Sequence, residues 1–318
     1  MIDPPPQAAQ RPATPPRTAL VFGGSGQIGH PLLARLADAG WDLAAVSRDA
    51  RASRPGLRWL RGDLAAAAGL PADVDAIFSC GPLDAFALWL ARGDVACRRV
   101  VAFGSTSVGV KQDSADERER DVARQLRGAE TLLFDTAARR GIGATVLRPT
   151  LVYGAGRDAT LTRIAALATR LHGFALPADA VGLRQPVHVD DLAAAATACL
   201  DAPVTHGRAY ALPGGETLPY REMVSRVLAA LPSRPRLLTL PSPLFRVLLA
   251  PARLAGIASG FNDAALARMR EDLAFDDGPA RRDFGYAPRA FDVDAAMFTP
   301  AMGATSVAAG HGREQHRG

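Results

Sequence analysis

The stretch from Thr18 to Gly40 constrains the fold of this chain more than any other part of the sequence. An apolar run of β-forming residues, Ala19 to Phe22, leads directly into a glycine-rich turn. Apolar residues then recur at helical spacing before Gly40 ends the pattern: Ile28, Leu32, Leu33 and Leu36. The stretch therefore predicts a strand, a glycine turn and a helix in immediate succession.

The turn runs from Gly23 to Gly29 and has the composition of a phosphate-binding loop. Its glycines are spaced either as Gly23-x-x-Gly26-x-x-Gly29 or as Gly24-x-Gly26-x-x-Gly29. Glycine has no Cβ, so the backbone can approach an anion, and the helix N-terminus offers unpaired N–H groups and a partial positive charge. Between a strand and a helix, this spacing predicts a dinucleotide site. Its residues are Gly23, Gly24, Ser25, Gly26, Gln27, Ile28 and Gly29.

The end of the second predicted strand, Asp42 to Val46, bears on which dinucleotide binds. Sites for the unphosphorylated ribose place an acidic residue about 20 positions past the glycines. Here Ser47 and Arg48 follow the strand. A guanidinium pairs well with a 2′-phosphate, so these two residues predict NADP(H) over NAD(H). Asp49 would favour NAD(H) if the strand ended one or two residues later.

The chain continues with strands alternating with helices. Further strands are predicted at Leu57 to Leu60, Asp75 to Ser79, Arg99 to Phe103 and Ala144 to Leu147, and a long helix at Asp113 to Arg140. This alternation predicts an α/β fold, a Rossmann-type doubly wound parallel sheet that binds ligands at the carboxyl ends of its strands.

The alternation loosens beyond Gly154, where we expect a smaller, mostly helical C-terminal lobe over the cofactor cleft. The predicted organisation is a disordered arm (1–17), a Rossmann domain (18–200), a substrate or roof lobe (201–300) and a disordered tail (301–318). The apolar stretch Leu237 to Ser259 is interrupted by prolines and arginines. It is therefore not expected to cross a bilayer, although it could contact a membrane surface or a protein.

The composition excludes some classes of function. The net charge is +5, but basic residues are scattered, so no nucleic-acid partner is expected. Cys80, Cys97 and Cys199 lie far apart, which fits a reducing cytoplasm. Two histidines in the C-terminal tail are expected to be solvated, and no metal site is predicted.

Several motifs in order resemble the extended short-chain dehydrogenase/reductase superfamily of NAD-dependent epimerases and dehydratases. The resemblance covers Thr18 to about Phe291 and rests on GGSGQIG, Gly62-Asp63-Leu64, RPTLVYG, PVHVDDLA and GRAYALPGGETLPYREM. It implies a small-molecule substrate, with Asp63 and Leu64 beside the adenine and Cys80 and Gly81 over the ribose and pyrophosphate. By the same resemblance, the segment from Pro149 to Val152, including Thr150, lies near the nicotinamide, and Ser105 belongs to the cofactor edge.

The sequence departs from this superfamily at its catalytic pair. Active members use Tyr-x-x-x-Lys, in which the phenol handles the substrate proton and the lysine lowers the pKa of the phenol. Aligning Glu130 with the family glutamate puts Val122 and Leu126 at these two positions. Lys111 is the only lysine in the chain and Ser107 stands four residues before it, so the pair does not occur in this sequence.

Four other residues are candidates for the missing proton chemistry. Thr106, between two serines, falls where the family keeps a catalytic serine or threonine, and it is our catalytic candidate. Lys111 could reach the cleft from the loop after the fifth strand. Tyr153, with Arg157 four residues later, and His188 are expected to be structural.

Two functions from different classes remain open at this level. One is an atypical NADP(H)-dependent reductase or epimerase-like enzyme whose acid/base group has moved. The other is a non-catalytic NADP(H)-binding sensor or scaffold, similar to NmrA-like redox sensors or to the accessory Rossmann subunit of respiratory complex I.

Overall fold

The computed structural model describes residues 15–112, 114–156, 158, 160–247 and 263–298. The strands in chain order are β1 (Thr18–Phe22), β2 (Asp42–Ser47), β3 (Leu57–Arg61), β4 (Asp73–Ser79), β5 (Ala96–Phe103), β6 (Gly143–Pro149), β7 (Val152–Tyr153), β8 (Gly173–Pro177), β9 (Leu183–Arg184), β10 (Val187–His188), β11 (Arg208–Leu212), β12 (Leu218–Pro219) and β13 (Arg236–Leu240). The helices are α1 (Gly29–Asp38), α2 (Leu83–Arg92), α3 (Ser107–Val110), α4 (Glu117–Arg140), α5 (Leu161–Leu171), α6 (Val189–Ala198), α7 (Tyr220–Ala230), α8 (Asp263–Arg268) and α9 (Gly278–Phe284). Residues 242–247 are also helical.

A seven-stranded sheet forms the centre of the molecule, in the order β11-β6-β5-β4-β1-β2-β3. Every neighbouring pair in it is parallel. Strand order reverses between β1 and β4, which is the switch point where open α/β sheets bind ligands. The predicted Rossmann-type α/β fold is confirmed.

The apolar patterns explain why the helices cover this sheet. In α1 the side chains of Leu32, Leu33 and Leu36 are buried, and α1 packs against α6 on one face. On the other face, α2 packs against α4. The long helix α4 begins at Glu117 because the Asp116 carboxylate accepts the Arg118 N–H at 2.9 Å and caps it. Asp113, the expected start of that helix, lies outside the described residues.

A second apolar cluster lies outside the sheet and is built around α5, β8 and α7. Short two-stranded sheets accompany these helices, β8 with β13 and β9 with β12. The chain passes between the two clusters more than once: Leu161–Leu171 packs in the second, whereas Arg208–Leu212 joins the central sheet. Packing therefore does not follow the single division at residue 200 that the sequence suggests, because β11 completes the sheet edge beside β6.

Part of the apolar stretch Leu237 to Ser259 is described. Its first residues belong to β13, and the side chains of Leu238, Leu244 and Val247 are exposed. Residues 248–262, like the arm up to residue 14 and the tail from residue 299, lie outside the description. Among the helices that the structure describes, none is both long enough and apolar enough to cross a membrane.

A buried arginine joins the sheet to the connection that leads into β11. Arg99, the fourth residue of β5, is 5% exposed. Its guanidinium donates to the carbonyls of Gly143, Cys199 and Leu200 at 2.6 to 3.1 Å and to the hydroxyls of Thr145 and Thr205 at 2.7 Å. These bonds satisfy a charge that would otherwise be costly to bury.

We expect Arg99→Ala to lower the free energy of unfolding by roughly 2–4 kcal/mol, because several buried acceptors lose their donor. Urea denaturation measures the change. The neighbouring Arg98 is exposed, so Arg98→Ala is the matched control and should shift stability by less than about 0.5 kcal/mol. Equal effects of the two substitutions would show that the Arg99 network contributes little.

Candidate functional site

The glycine turn packs backbone against backbone at the switch point of the sheet. Gly23 has a φ of +71°, and a Cβ there would lie 2.9 Å from the carbonyl carbon of Cys80. A Cβ on Gly29 would lie 2.1 Å from the Gly23 oxygen. The Gly26 N–H donates to that oxygen at 2.9 Å and closes the turn. No side chain larger than hydrogen fits at Gly23 or Gly29, as the phosphate-loop prediction requires.

The N-terminus of α1 has the properties of an anion site. Within the described part of the chain no side chain caps this helix, and its first turn carries no acidic residue. The Gln27 side chain, in the turn, has a buried Oε1 without a hydrogen-bond partner among the described groups. A helix N-terminus without a side-chain cap and a glycine cradle fit the pyrophosphate of a dinucleotide, whereas the Gln27 oxygen, an acceptor, does not contribute to binding an anion.

Residues at the end of β2 are arranged around Ser47. The strand ends at Ser47, one residue later than predicted, so Arg48 is the first residue beyond it and Asp49 the second, and the Arg48 side chain is exposed. Arg51, which the sequence analysis missed, donates from Nε to the Ser47 hydroxyl at 3.3 Å and lies 5.2 Å above the Trp59 ring. Two guanidinium groups, those of Arg48 and Arg51, therefore lie close to the end of β2. The sequence signal for Arg51 was its position four residues after Ser47.

Asp63 and Leu64 lie on the same edge of the sheet. The Asp63 carboxylate accepts the N–H groups of Ala65 and Ala66, which lowers its pKa, and the charge of Arg48 lowers it further. Leu64 packs over Gly81, with its Cδ1 3.6 Å from the position of a Cβ on that glycine. Asp63 thus shapes the loop after β3.

Cys80 stands where β4 ends beside β1. Its N–H donates to the Phe22 carbonyl at 2.9 Å, and burial raises the pKa of its thiol to about 12. The thiol therefore stays protonated and has a packing role. Gly81 follows it, directly beside the glycine turn.

The ends of β5 and β6 are joined through Thr106. Its Oγ1 donates to the Pro149 carbonyl at 3.2 Å, and its N–H points to the same oxygen at 3.3 Å. The Ser105 hydroxyl accepts the Ser107 N–H at 3.1 Å at the start of α3. The Thr150 hydroxyl donates to the Gln185 carbonyl, and Val152 pairs with Val187 in β7 and β10. The structure thus places the predicted nicotinamide-side residues next to the catalytic candidate.

A cavity of about 280 Å³ opens beside Thr106. Residues from α3, from the end of β6 and from the second cluster line it: Thr106, Ser107, Val110, Lys111, Thr150, Leu151, Arg184, Gln185, Arg268, Leu273 and Phe275. None of these residues belongs to α4, the helix that aligns with the family Tyr-x-x-x-Lys. In α4, Val122 is exposed and Leu126 packs against an apolar cluster.

A second cavity of about 270 Å³ shares four of these residues and lies deeper in the second cluster. The shared walls are Leu151, Arg184, Arg268 and Leu273. The two cavities are therefore neighbours, one beside the ends of the strands and one among the helices of the second cluster.

Comparison with known proteins identifies the fold family. The model of the NAD dependent epimerase/dehydratase family matches residues 19–96 and 94–212. The chain belongs to this family. A relative from Stenotrophomonas maltophilia (strain K279a), named 2-alkyl-3-oxoalkanoate reductase, is 30% identical over 313 residues, which covers 85% of this chain and 94% of the relative.

Solved structures of epimerase/dehydratase-type folds match most of the chain. MoeE5 in complex with UDP-glucose and NAD matches with a TM-score of 0.62 at 22% identity, covering 86% of this chain and 94% of that one. The terminal R domain from the myxalamid PKS-NRPS pathway matches with a TM-score of 0.66 at 20% identity, covering 90% and 89%. WbmF from Bordetella bronchiseptica, in complex with NAD+ and UDP, matches with a TM-score of 0.61 at 17% identity, covering 89% and 90%. At these identities the structures show a shared fold.

Lys111 lies beside charged side chains from two other helices. It is partly buried at the end of α3, with its Nζ 3.9 Å from Oε1 of Glu119. The same carboxylate pairs with Arg268 of α8 and accepts the Ser114 hydroxyl at 2.8 Å. Burial lowers the pKa of Lys111, and the charge of Arg268 lowers it further. Glu119 and Arg268 had no signal in the sequence, because only the fold brings α4 and α8 together.

Two other candidates have structural surroundings. Tyr153 is fully buried and makes edge contacts with the rings of His188 and Phe291, and burial raises its pKa to about 12. His188 accepts the Asp190 N–H at 3.2 Å through Nδ1 and caps α6. Arg157, the partner once considered for Tyr153, lies outside the described residues. Within the described residues, no group of His, Cys, Asp and Glu side chains could hold a metal ion.

We expect Gly29→Ala to abolish NADPH binding and to lower the melting temperature, because the new Cβ would collide with the Gly23 carbonyl and open the turn. Thermal unfolding with and without NADPH measures both effects. Gly128→Ala is the control, since a Cβ at that position in α4 meets nothing within 4 Å. A Gly29→Ala protein with unchanged NADPH stabilisation would contradict the assigned cradle.

Proposed function

We propose that this chain is an NADP(H)-dependent oxidoreductase that reduces a ketone or aldehyde carbonyl in the cavity beside Thr106. The observation that carries the proposal is that the Thr106 hydroxyl and the only lysine of the chain line one cavity. That cavity lies next to the carboxyl ends of β5 and β6, the edge where parallel α/β sheets bind ligands.

In the proposed reaction the cofactor and the side chains of this chain have different roles. A bound nicotinamide dinucleotide supplies the hydride. The glycine turn, Ser47 and the segment from Pro149 to Val152 would hold it along the strand ends. Thr106 would turn its hydroxyl from the Pro149 carbonyl to the substrate oxygen and stabilise the charge developing there, and solvent water would supply the proton that completes the alcohol. Family membership and the name of the Stenotrophomonas relative support a reductase and make keto acids the first substrates to test.

Preference for NADP(H) is supported by Ser47, Arg48 and Arg51. The 2′-phosphate carries up to two negative charges, and paired guanidinium groups bind such anions with charge-assisted hydrogen bonds. Asp49, whose carboxylate would favour an unphosphorylated ribose, directly follows Arg48 and is the second residue beyond the end of β2, so the preference is tested with both cofactors.

Arg48→Ala and Arg51→Ala are each expected to weaken NADP(H) binding by roughly 10- to 100-fold, the value of one or two charge-assisted hydrogen bonds. NAD(H) binding should change by less than about threefold, because NAD(H) lacks the phosphate. Calorimetric titration of both cofactors measures this. Arg54→Ala, an exposed arginine nearby, is the control, and equal losses for the two cofactors would rule out a phosphate contact.

NADPH oxidation with carbonyl substrates tests the reaction itself, with a β-keto acid, the matching methyl ketone and nucleotide sugars as the panel. We expect turnover with a carbonyl compound and a loss of roughly 100-fold in kcat/KM for Thr106→Val, the usual cost of one such donor. Thr131→Val, at an exposed position of α4, is the control.

A non-catalytic sensor or scaffold is the second candidate, favoured by Val122 and Leu126 at the family proton-handling positions. It would be supported if NADPH raised the melting temperature while no member of the panel was consumed. If Thr106→Val leaves turnover unchanged, the chain is an enzyme but Thr106 has no part in its mechanism.

A further inference from the structure

We propose that the two neighbouring cavities form one site for an aliphatic carboxylate, with the carboxylate bound by Lys111 and Arg268 and the hydrocarbon chain in the deeper cavity. As a substrate assignment this rests on the proposed function, whereas as a binding site it stands on the structure alone. Nothing in the family match or in the relatives assigns either residue to a ligand.

The charged side chains that line the two cavities are all basic. Lys111, Arg163, Arg184 and Arg268 belong to the lining, and no described lining residue of either cavity is acidic. Glu119 lies behind this lining, where it is shared between Lys111 and Arg268. A partly buried pair of cations with one carboxylate between them retains a net positive charge, and such charge is stabilised by a bound anion.

Arg184 adds to this field without being a ligand itself. Its guanidinium donates to the carbonyls of Leu183, Arg268 and Glu271 and lies 5.2 Å above the Tyr220 ring. These carbonyls satisfy its hydrogen bonds, and the nearby carboxylates of Glu271 and Asp272 act on its charge. Arg184 therefore places a positive charge at the shared wall of the two cavities that these two carboxylates partly offset.

Apolar side chains account for most of the deeper cavity. They come from the residue before β7, from α5, from β8 and from the segment after α8: Leu151, Ile164, Leu167, Phe174, Met269 and Leu273. A hydrocarbon chain placed there would gain about 25 cal/mol for each Å² of apolar surface that leaves water. Arg268 and Leu273 line both cavities, so the proposed ligand would have its charge at Lys111 on one side of these two side chains and its hydrocarbon chain on the other.

The position of Lys111 relative to Thr106 suits a carboxylate close to a carbonyl. Both residues flank the short helix α3 and line the same cavity. A keto acid could therefore present its carbonyl oxygen to Thr106 and its carboxylate to Lys111 and Arg268. A neutral ketone of the same length would lack the second contact.

Calorimetric titration of the full chain with decanoate and with decanol, without cofactor, tests the site independently of turnover. We expect decanoate to bind roughly tenfold or more tightly than decanol, the value of a charge-assisted contact. Lys111→Met should lower decanoate affinity about tenfold and leave decanol unchanged, whereas Lys111→Arg should retain decanoate binding because it retains the charge. Leu167→Gln should weaken both ligands, and Arg118→Met, an exposed residue of α4, neither.

The outcomes separate the two proposals. Preferential, Lys111-dependent binding of decanoate with no NADPH oxidation would support the site and reject the reaction. NADPH oxidation that proceeds equally well with the β-keto acid and the methyl ketone, together with equal binding of decanoate and decanol, would reject the site and retain the reaction. If Lys111→Arg lost kcat at unchanged KM and decanoate bound no better than decanol, Lys111 would be a proton donor and the carboxylate assignment would be wrong.

Discussion

Direct contact between backbone segments at the glycine turn is the constraint on which the cofactor edge depends. Gly23 touches the backbone at Cys80, and Gly29 touches Gly23, so β1, β4 and the start of α1 meet without intervening side chains. This contact leaves the helix N-terminus open toward the strand ends. Because the neighbouring strands are parallel and in register, Ser47, Asp63 and Ser105 are brought to the same edge.

The cavity beside the strand ends is lined by a different element from the helix that aligns with the Tyr-x-x-x-Lys pair of the wider superfamily. The long helix α4 carries aliphatic residues at the aligned positions, and the cavity is lined by the short helix α3 that packs against it. Thr106 precedes α3 and Lys111 follows it, and both residues line the same cavity. Glu119, in the first turn of α4, pairs with both Lys111 and Arg268. This helix therefore contributes a negative charge next to the cavity, although Glu119 itself does not line it.

Much of the fold could be predicted from periodicity, because β1 to β6 are short apolar runs separated by amphipathic helices and turns. The ends of β1, β4 and β5 followed as well, whereas β2, β3 and β6 run one or two residues further than predicted, and the observed end of β2 at Ser47 makes Arg48 the first residue beyond it. Other features depended on contacts remote in sequence. The role of Arg99 follows from acceptors on β6 and on the connection before β11, and no local pattern shows that an arginine near a strand start will be buried.

The sequence by itself determined the glycine-rich turn, the Rossmann-type sheet and the absence of a Tyr-x-x-x-Lys pair, since each of these is encoded in consecutive residues, in the alternation of apolar and polar segments or in residue counts. Only the tertiary structure decided what surrounds Lys111. The partners of that lysine come from α4 and α8, segments separated by more than a hundred residues along the chain. Burial and charge depend on distances in space, and folding alone sets those distances.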